Sequence, residues 1–191
     1  MNRRKFIVAL TILGGGAVAS YYGLKYAKSK ATPDIAFLDL NKDLIADLCN
    51  VIIPKTNTPG AKEAMVETFV IYAIKHSKDM VYCNNFINGL KDVKECCQSN
   101  YKTPFSKLSN KQQIEVVTYF KEEGLNLSGK LGKVKNKILG KSFFAILKET
   151  TCTGYCTSMV GAKKGLAYEY VPTRFIGCTD LVKGQKSWAS K

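Results

Sequence analysis

Arginine is nearly missing from this chain, histidine more so, and acidic side chains are outnumbered. Of 191 residues three are Arg, against 26 Lys; one is His; 15 Asp and Glu face 29 cations, for a formal charge of +14. Base-edge readout and bidentate phosphate recognition lean on the planar guanidinium fork. Two of the three Arg, Arg3 and Arg4, stand side by side near the N-terminus. That scarcity, with no nucleic-acid motif present, argues against a nucleic-acid partner and for a solvated basic surface or an acidic protein partner. With His76 alone and no C-x-x-C, a zinc domain of the usual type lacks its ligands. G-x-G-x-x-G, a P-loop and the C-x-x-C-H of covalent haem are all absent, so no catalytic, cofactor-binding or metal residue is assigned. Only five Pro and 15 Gly exclude collagen-like architecture, and an apolar fraction of 46% excludes a disordered chain.

What is present begins with an address. Arg3, Arg4 and Lys5 precede an uncharged run from Phe6 to Leu24, and Ala17-Val18-Ala19 is a small-x-small site that places cleavage before Ser20. The string N-R-R-K-F-I resembles a twin-arginine export signal, with Arg3, Arg4, Phe6 and Ile7 in the matching positions. That pathway carries folded cargo through the twin-arginine translocase. The competing reading is an uncleaved anchor, since the run from Phe6 to Leu24 is long enough to span a bilayer with the cations held on the cytoplasmic side. Either way the remainder is expected outside the cytoplasm, in the periplasm, free or attached to the cytoplasmic membrane.

The expected division is a signal over 1–19, a linker over 20–37, a helical domain over 38–182 and a tail over 183–191. Asn41 is placed to cap a helix carrying Leu44, Ile45, Leu48, Val51 and Ile52, ended by Pro54. A turn-rich stretch leads to a second helix over about 61–76, a third over about 78–97, and a fourth opened by the capping box Ser109–Gln112. Residues 124–141 hold five Lys and no acid and read as an exposed loop, solvated or drawn to lipid phosphate. The last helix is expected over about 138–151, followed by an irregular segment rich in glycine. No run alternates as a strand would. The expected fold is all-α: a single domain of about five helices with a long irregular C-terminal segment.

Seven Cys is an odd number, and an exported chain meets oxidising conditions. Cys49, on an apolar face, reads as a buried small residue. Cys83 with Cys96 or Cys97, and Cys152 with Cys156, are candidate disulfides, the second if Gly154 lets the backbone turn. Cys178 is a candidate for an intersubunit bridge, against free or internally paired states. His76 reads as a cation at a helix C-terminus, interacting with the dipole, more than as a catalytic base.

Two stretches then match a family. VIIPKTNTPGAKEAMV and FFAILKETTCTGYCTSMVGAKKGLAYEYVPTRFIGC resemble the gluconate 2-dehydrogenase small (gamma) subunit family. Ile53-Pro54, Thr56, Thr58, Pro59, Gly60 and Ala61 carry the first match; Phe143, Phe144, Gly154, Tyr155, Gly161, Tyr168, Pro172, Gly177 and Cys178 carry the second. The resemblance implies a non-catalytic partner of a flavin-dependent sugar or polyol dehydrogenase, with FAD in the large subunit and a cytochrome c often taking the electrons. It implies that this chain stabilises the catalytic subunit and carries it out through the twin-arginine pathway. An independent exported enzyme, a haem-binding protein and a membrane-anchored structural protein are the alternatives. On this reading the Pro54–Ala61 turn is either structural or in contact with the partner. Tyr155, Tyr168, Tyr170 and Phe175 are candidate interface aromatics, or they pack back on the helices. Arg174 is a candidate ion-pair residue across the same interface.

Overall fold

The computed structural model describes residues 30–125, 139–171, 177–178 and 180–189. Among them the chain forms six α-helices: α1 Ala36–Leu40, α2 Lys42–Ile52, α3 Val66–Lys75, α4 Met80–Tyr101, α5 Asn110–Leu125 and α6 Phe143–Thr157. A 3₁₀ turn over Phe105–Lys107 precedes α5, and a π turn over Gly161–Gly165 follows α6. No sheet occurs among the described residues; the one β pairing is an isolated parallel bridge between Ala167 and Trp188. The all-α single domain is the expected class, with the short α1 added ahead of the first expected helix.

The core is built around α6, which packs on α2, α3, α4 and α5. Ile45, Leu48, Val66, Val70, Ile74, Phe86, Ile87, Leu90, Val93, Ile146 and Leu147 are among its fully buried side chains. Burial of a Leu, Ile or Phe contributes roughly 1.5–3 kcal/mol each. Phe143, the first residue of α6, seats itself between α4 and α5, with ring centroids 5.5 Å from Phe86 and 5.8 Å edge-on from Phe120. It fits only because Gly89 of α4 leaves its place open: a Cβ there would overlap the Phe143 ring.

Helix ends show how local chemistry sets the frame. Asp79 caps α4 by accepting from the Val81 amide at 2.9 Å and the Tyr82 amide at 3.3 Å. The expected capping box is present: the Ser109 amide donates to Gln112 Oε1 at 3.0 Å and the Gln112 amide to Ser109 Oγ at 3.4 Å. Asn41 stands at the N-cap of α2 but its side chain does not cap it. Its amide donates instead to the Phe37 carbonyl at 2.7 Å, and its Oδ1 accepts from Lys94 Nζ at 3.1 Å, tying α1 to α4.

Four helix boundaries differ from expectation, the first being the end of the third expected helix, which runs on to Tyr101. The second expected helix begins late, because Met65 adopts left-handed backbone (φ 50) and residues 61–65 turn before Val66 starts α3. The last begins late and ends late: Gly140 (φ 74) breaks the chain, Ser142 then caps α6, and the helix runs through Gly154 to Thr157. Gly154 is therefore inside a helix and does not open the irregular segment. Its missing side chain admits α3, since a Cβ would stand 2.7 Å from Phe69 Cδ1.

Candidate functional site

The two stretches that drew attention in the sequence meet at one residue. Tyr155, in the last turn of α6, is buried, and its hydroxyl donates to the Pro59 carbonyl at 2.7 Å. That bond joins α6 to the turn after α2. The turn closes on itself: the Ala61 amide donates to the Ile53 carbonyl at 2.9 Å and the Thr56 amide to the Thr58 carbonyl at 3.0 Å. A side chain on Gly60 would stand 2.7 Å from the Lys55 amide nitrogen. On the other side of Tyr155 lies the π turn. Ser158 Oγ donates to the Tyr155 carbonyl at 2.8 Å and accepts from the Gly161 amide at 2.9 Å. Gly161 presses on the Tyr155 backbone and Gly165 on its ring, so a Cβ at either would overlap it. Tyr155 is thus a clasp between turn 54–61 and turn 161–165, and it is not an exposed interface residue as one reading of the sequence had it.

Of the other candidate interface residues, Tyr168 and Tyr170 are exposed, while Arg174 and Phe175 lie outside the described residues. So do the signal positions Arg3, Arg4, Phe6 and Ile7 and the cleavage positions Ala17, Ala19 and Ser20. The segment after the π turn is not wholly loose. The Ala167 amide donates to the Ser187 carbonyl at 2.9 Å, the Ala189 amide to the Ala167 carbonyl at 2.8 Å, and Lys186 Nζ to the Lys164 carbonyl at 3.2 Å. Within the stretch expected as a tail, Ser187 and Ala189 thus pair with Ala167.

All seven cysteines are free thiols. Cys83 and Cys97 share α4, 14 residues apart, which separates them by roughly 21 Å at 1.5 Å per residue. A bridge between them, or between Cys83 and Cys96, is out of reach. Cys152 and Cys156 lie one turn apart on α6, because the backbone does not turn at Gly154. Helical residues at that spacing hold their Cβ atoms about 5–6 Å apart, beyond the usual disulfide separation of about 3.8 Å. Cys178 is exposed. Cys49 is the buried residue expected: burial pushes its thiol up to about 12, against a bond from Thr151 Oγ1 at 3.3 Å that acts the other way. Burial also pushes Cys97 up to about 11.

His76 sits where expected, just past the end of α3, stacked on Tyr72 at 4.1 Å with its Nδ1 2.9 Å from the Tyr72 carbonyl. Sequence reading passed over Glu67, in the first turn of α3, which is buried with Oε2 lacking a hydrogen-bond partner and Lys42 Nζ 4.0 Å from Oε1. Nearby, Lys62 donates to Asp47 at 2.8 Å, and that bond raises the Lys62 ammonium above its ordinary value, with Asp43 and Glu67 adding to the effect. Among the described residues no three His, Cys, Asp or Glu gather as metal ligands would. No described helix is long and apolar enough to cross a membrane.

The fold and the clasp define a helical scaffold whose distinctive turns are locked by glycines and one buried tyrosine. The family model for gluconate 2-dehydrogenase subunit 3 matches residues 39–173, and the chain belongs to that family. It matches no curated protein and no solved structure.

Proposed function

We propose that this chain is the accessory subunit of an exported flavin-dependent sugar or polyol dehydrogenase, stabilising the catalytic subunit and carrying it through the twin-arginine pathway to the periplasm. One observation carries the reading: the residues that mark the family, Pro59, Gly60, Gly154, Tyr155 and Gly161, are engaged in packing and in a single buried hydrogen bond, not in presenting reactive groups. Family membership supports the same view, since its name is that of one subunit among several. FAD belongs to the larger partner on this reading, and a cytochrome c subunit accepts its electrons.

The surface assigned to the catalytic subunit is the outer stripe of α3. Met65, just ahead of the helix, and Tyr72 are exposed on the side away from Val70 and Ile74, and half-buried Phe69 lies between them with its ring reaching Gly154 of α6. Met and aromatic residues are enriched at interfaces where Lys is depleted, and this stripe carries no Lys. The test is purification of the tagged chain from its native envelope fraction. Co-purification of a larger flavoprotein, with a flavin spectrum and sugar-dependent dye reduction, is the expected result. A bare 21.1 kDa species would overturn the reading. Tyr72→Asp should lower the recovered flavin at least tenfold without lowering the melting temperature of the free chain.

A further inference from the structure

The outward face of α6 carries two thiols in its last turns. Cys152 is half-buried and Cys156 exposed, and their spacing of four residues makes them neighbours along the helix. Lys148 precedes Cys152 by the same step and is exposed. The three groups sense one another: burial pushes the Cys152 thiol up, Cys156 adds to that effect, and Lys148 acts the other way. No other two thiols of one described helix are so placed. Cys96 and Cys97 are adjacent on α4, where successive side chains do not face each other, and Cys97 is buried.

We propose that Cys152 and Cys156 form a two-coordinate site for a soft monovalent metal ion of the copper(I) class. The inference goes beyond the accessory-subunit reading and does not depend on it. The separation that prevents a disulfide suits an ion. A disulfide wants Cβ atoms about 3.8 Å apart, and one helical turn holds them at about 5–6 Å. An ion between the sulfurs replaces one bond of about 2.0 Å with two of about 2.3 Å, so the helix keeps its shape. The donor set then selects the ion. Thiolates favour copper(I), zinc and iron–sulfur clusters. Structural zinc and iron–sulfur sites need four ligands, and among the described residues no third Cys, His, Asp or Glu joins this pair. Met159, the next soft donor along the chain, stands past Ser158, where the backbone leaves the helix. A filled-shell monovalent ion is satisfied by two thiolates. The complex carries one negative charge, and Lys148 stands one turn away to offset it. Binding breaks two S–H bonds, forms two sulfur–metal bonds and releases two protons to the buffer, with no change of oxidation state.

The test uses the full chain, reduced and free of oxygen, with one equivalent of copper(I) kept in solution by a little acetonitrile. Alkylation by iodoacetamide is then followed thiol by thiol by peptide mass spectrometry. Cys152 and Cys156 should both slow at least about tenfold, since a ligated thiolate no longer attacks, while Cys96 and Cys178 react as before. Zinc(II) at the same concentration should protect neither. Cys156→Ala, a change at an exposed position, should leave Cys152 unprotected with the helical circular dichroism unchanged. Labelling of the unaltered chain decides the matter independently of that variant. Copper(I) that protects neither thiol overturns the proposal, as does protection that falls on Cys178 or Cys96 instead. Equal protection by zinc(II), pairing of two chains through a shared ion on gel filtration, or Cys152 still protected in Cys156→Ala overturns it as well.

Discussion

Replacing Tyr155 by Phe removes one oxygen and leaves the Pro59 carbonyl without its donor. The expected loss is about 1–3 kcal/mol of unfolding free energy, measured by urea titration. Gly161→Ala should cost more, because its new Cβ would overlap backbone, which cannot rotate away as a side chain can. The thiols give a second test. Exposed Cys156 and Cys178 should react with iodoacetamide first, Cys96 and Cys152 more slowly, and buried Cys49, Cys83 and Cys97 only on unfolding, as read by peptide mass spectrometry. A third concerns alkali. Cys49 holds its proton in the folded chain to about 12, above the 9.0 of the unfolded thiol, so its contribution is complete below pH 9 and is lost as pH rises from 9 towards 12. The Cys49 share of the decline should approach 1.4 kcal/mol per pH unit, roughly the linkage limit for one proton, and Cys49→Ala should remove that share while the share of Cys97 remains. At this scale burial of Cys49 and the seat of His76 were legible, because both follow from position on a helix. The inward turn of Tyr155 was not, since its partner carbonyl is 96 residues away.

Helix identity followed from apolar spacing, and the start of α5 followed from the Ser109–Gln112 box. The caps at Asp79 and Ser142 were passed over, although each bonds within its own first turn. Asp79→Ala should cost about 1 kcal/mol, since two amides lose their acceptor. Ends set by tertiary contact were not legible. Gly154 resembles a helix stop in the sequence, yet it is a crossing point where α3 lies against α6. In an exposed helix Gly→Ala stabilises by roughly 1 kcal/mol. Here Gly154→Ala should destabilise instead, by thermal melting, because Phe69 occupies the space. The Cys83–Cys97 expectation conflicted with the expected helix over about 78–97, which already set both thiols on one rigid rod, as α4 does.

Because α6 touches four other helices, the domain has no part that can keep its apolar face covered once α6 leaves. Unfolding followed by circular dichroism and by the exposure of buried thiols should therefore give coincident transitions. The all-α class was readable from the absence of alternating runs. The closure of the C-terminal loop was not, because its two backbone bonds need no particular side chains at Ala167, Ser187 or Ala189.

The Ala167–Trp188 bridge is held by two backbone bonds, through Ser187 and Ala189. A single proteolytic cut between those two residues would unfasten the segment without touching a helix. Clipped preparations would then keep their helical signal while releasing this stretch.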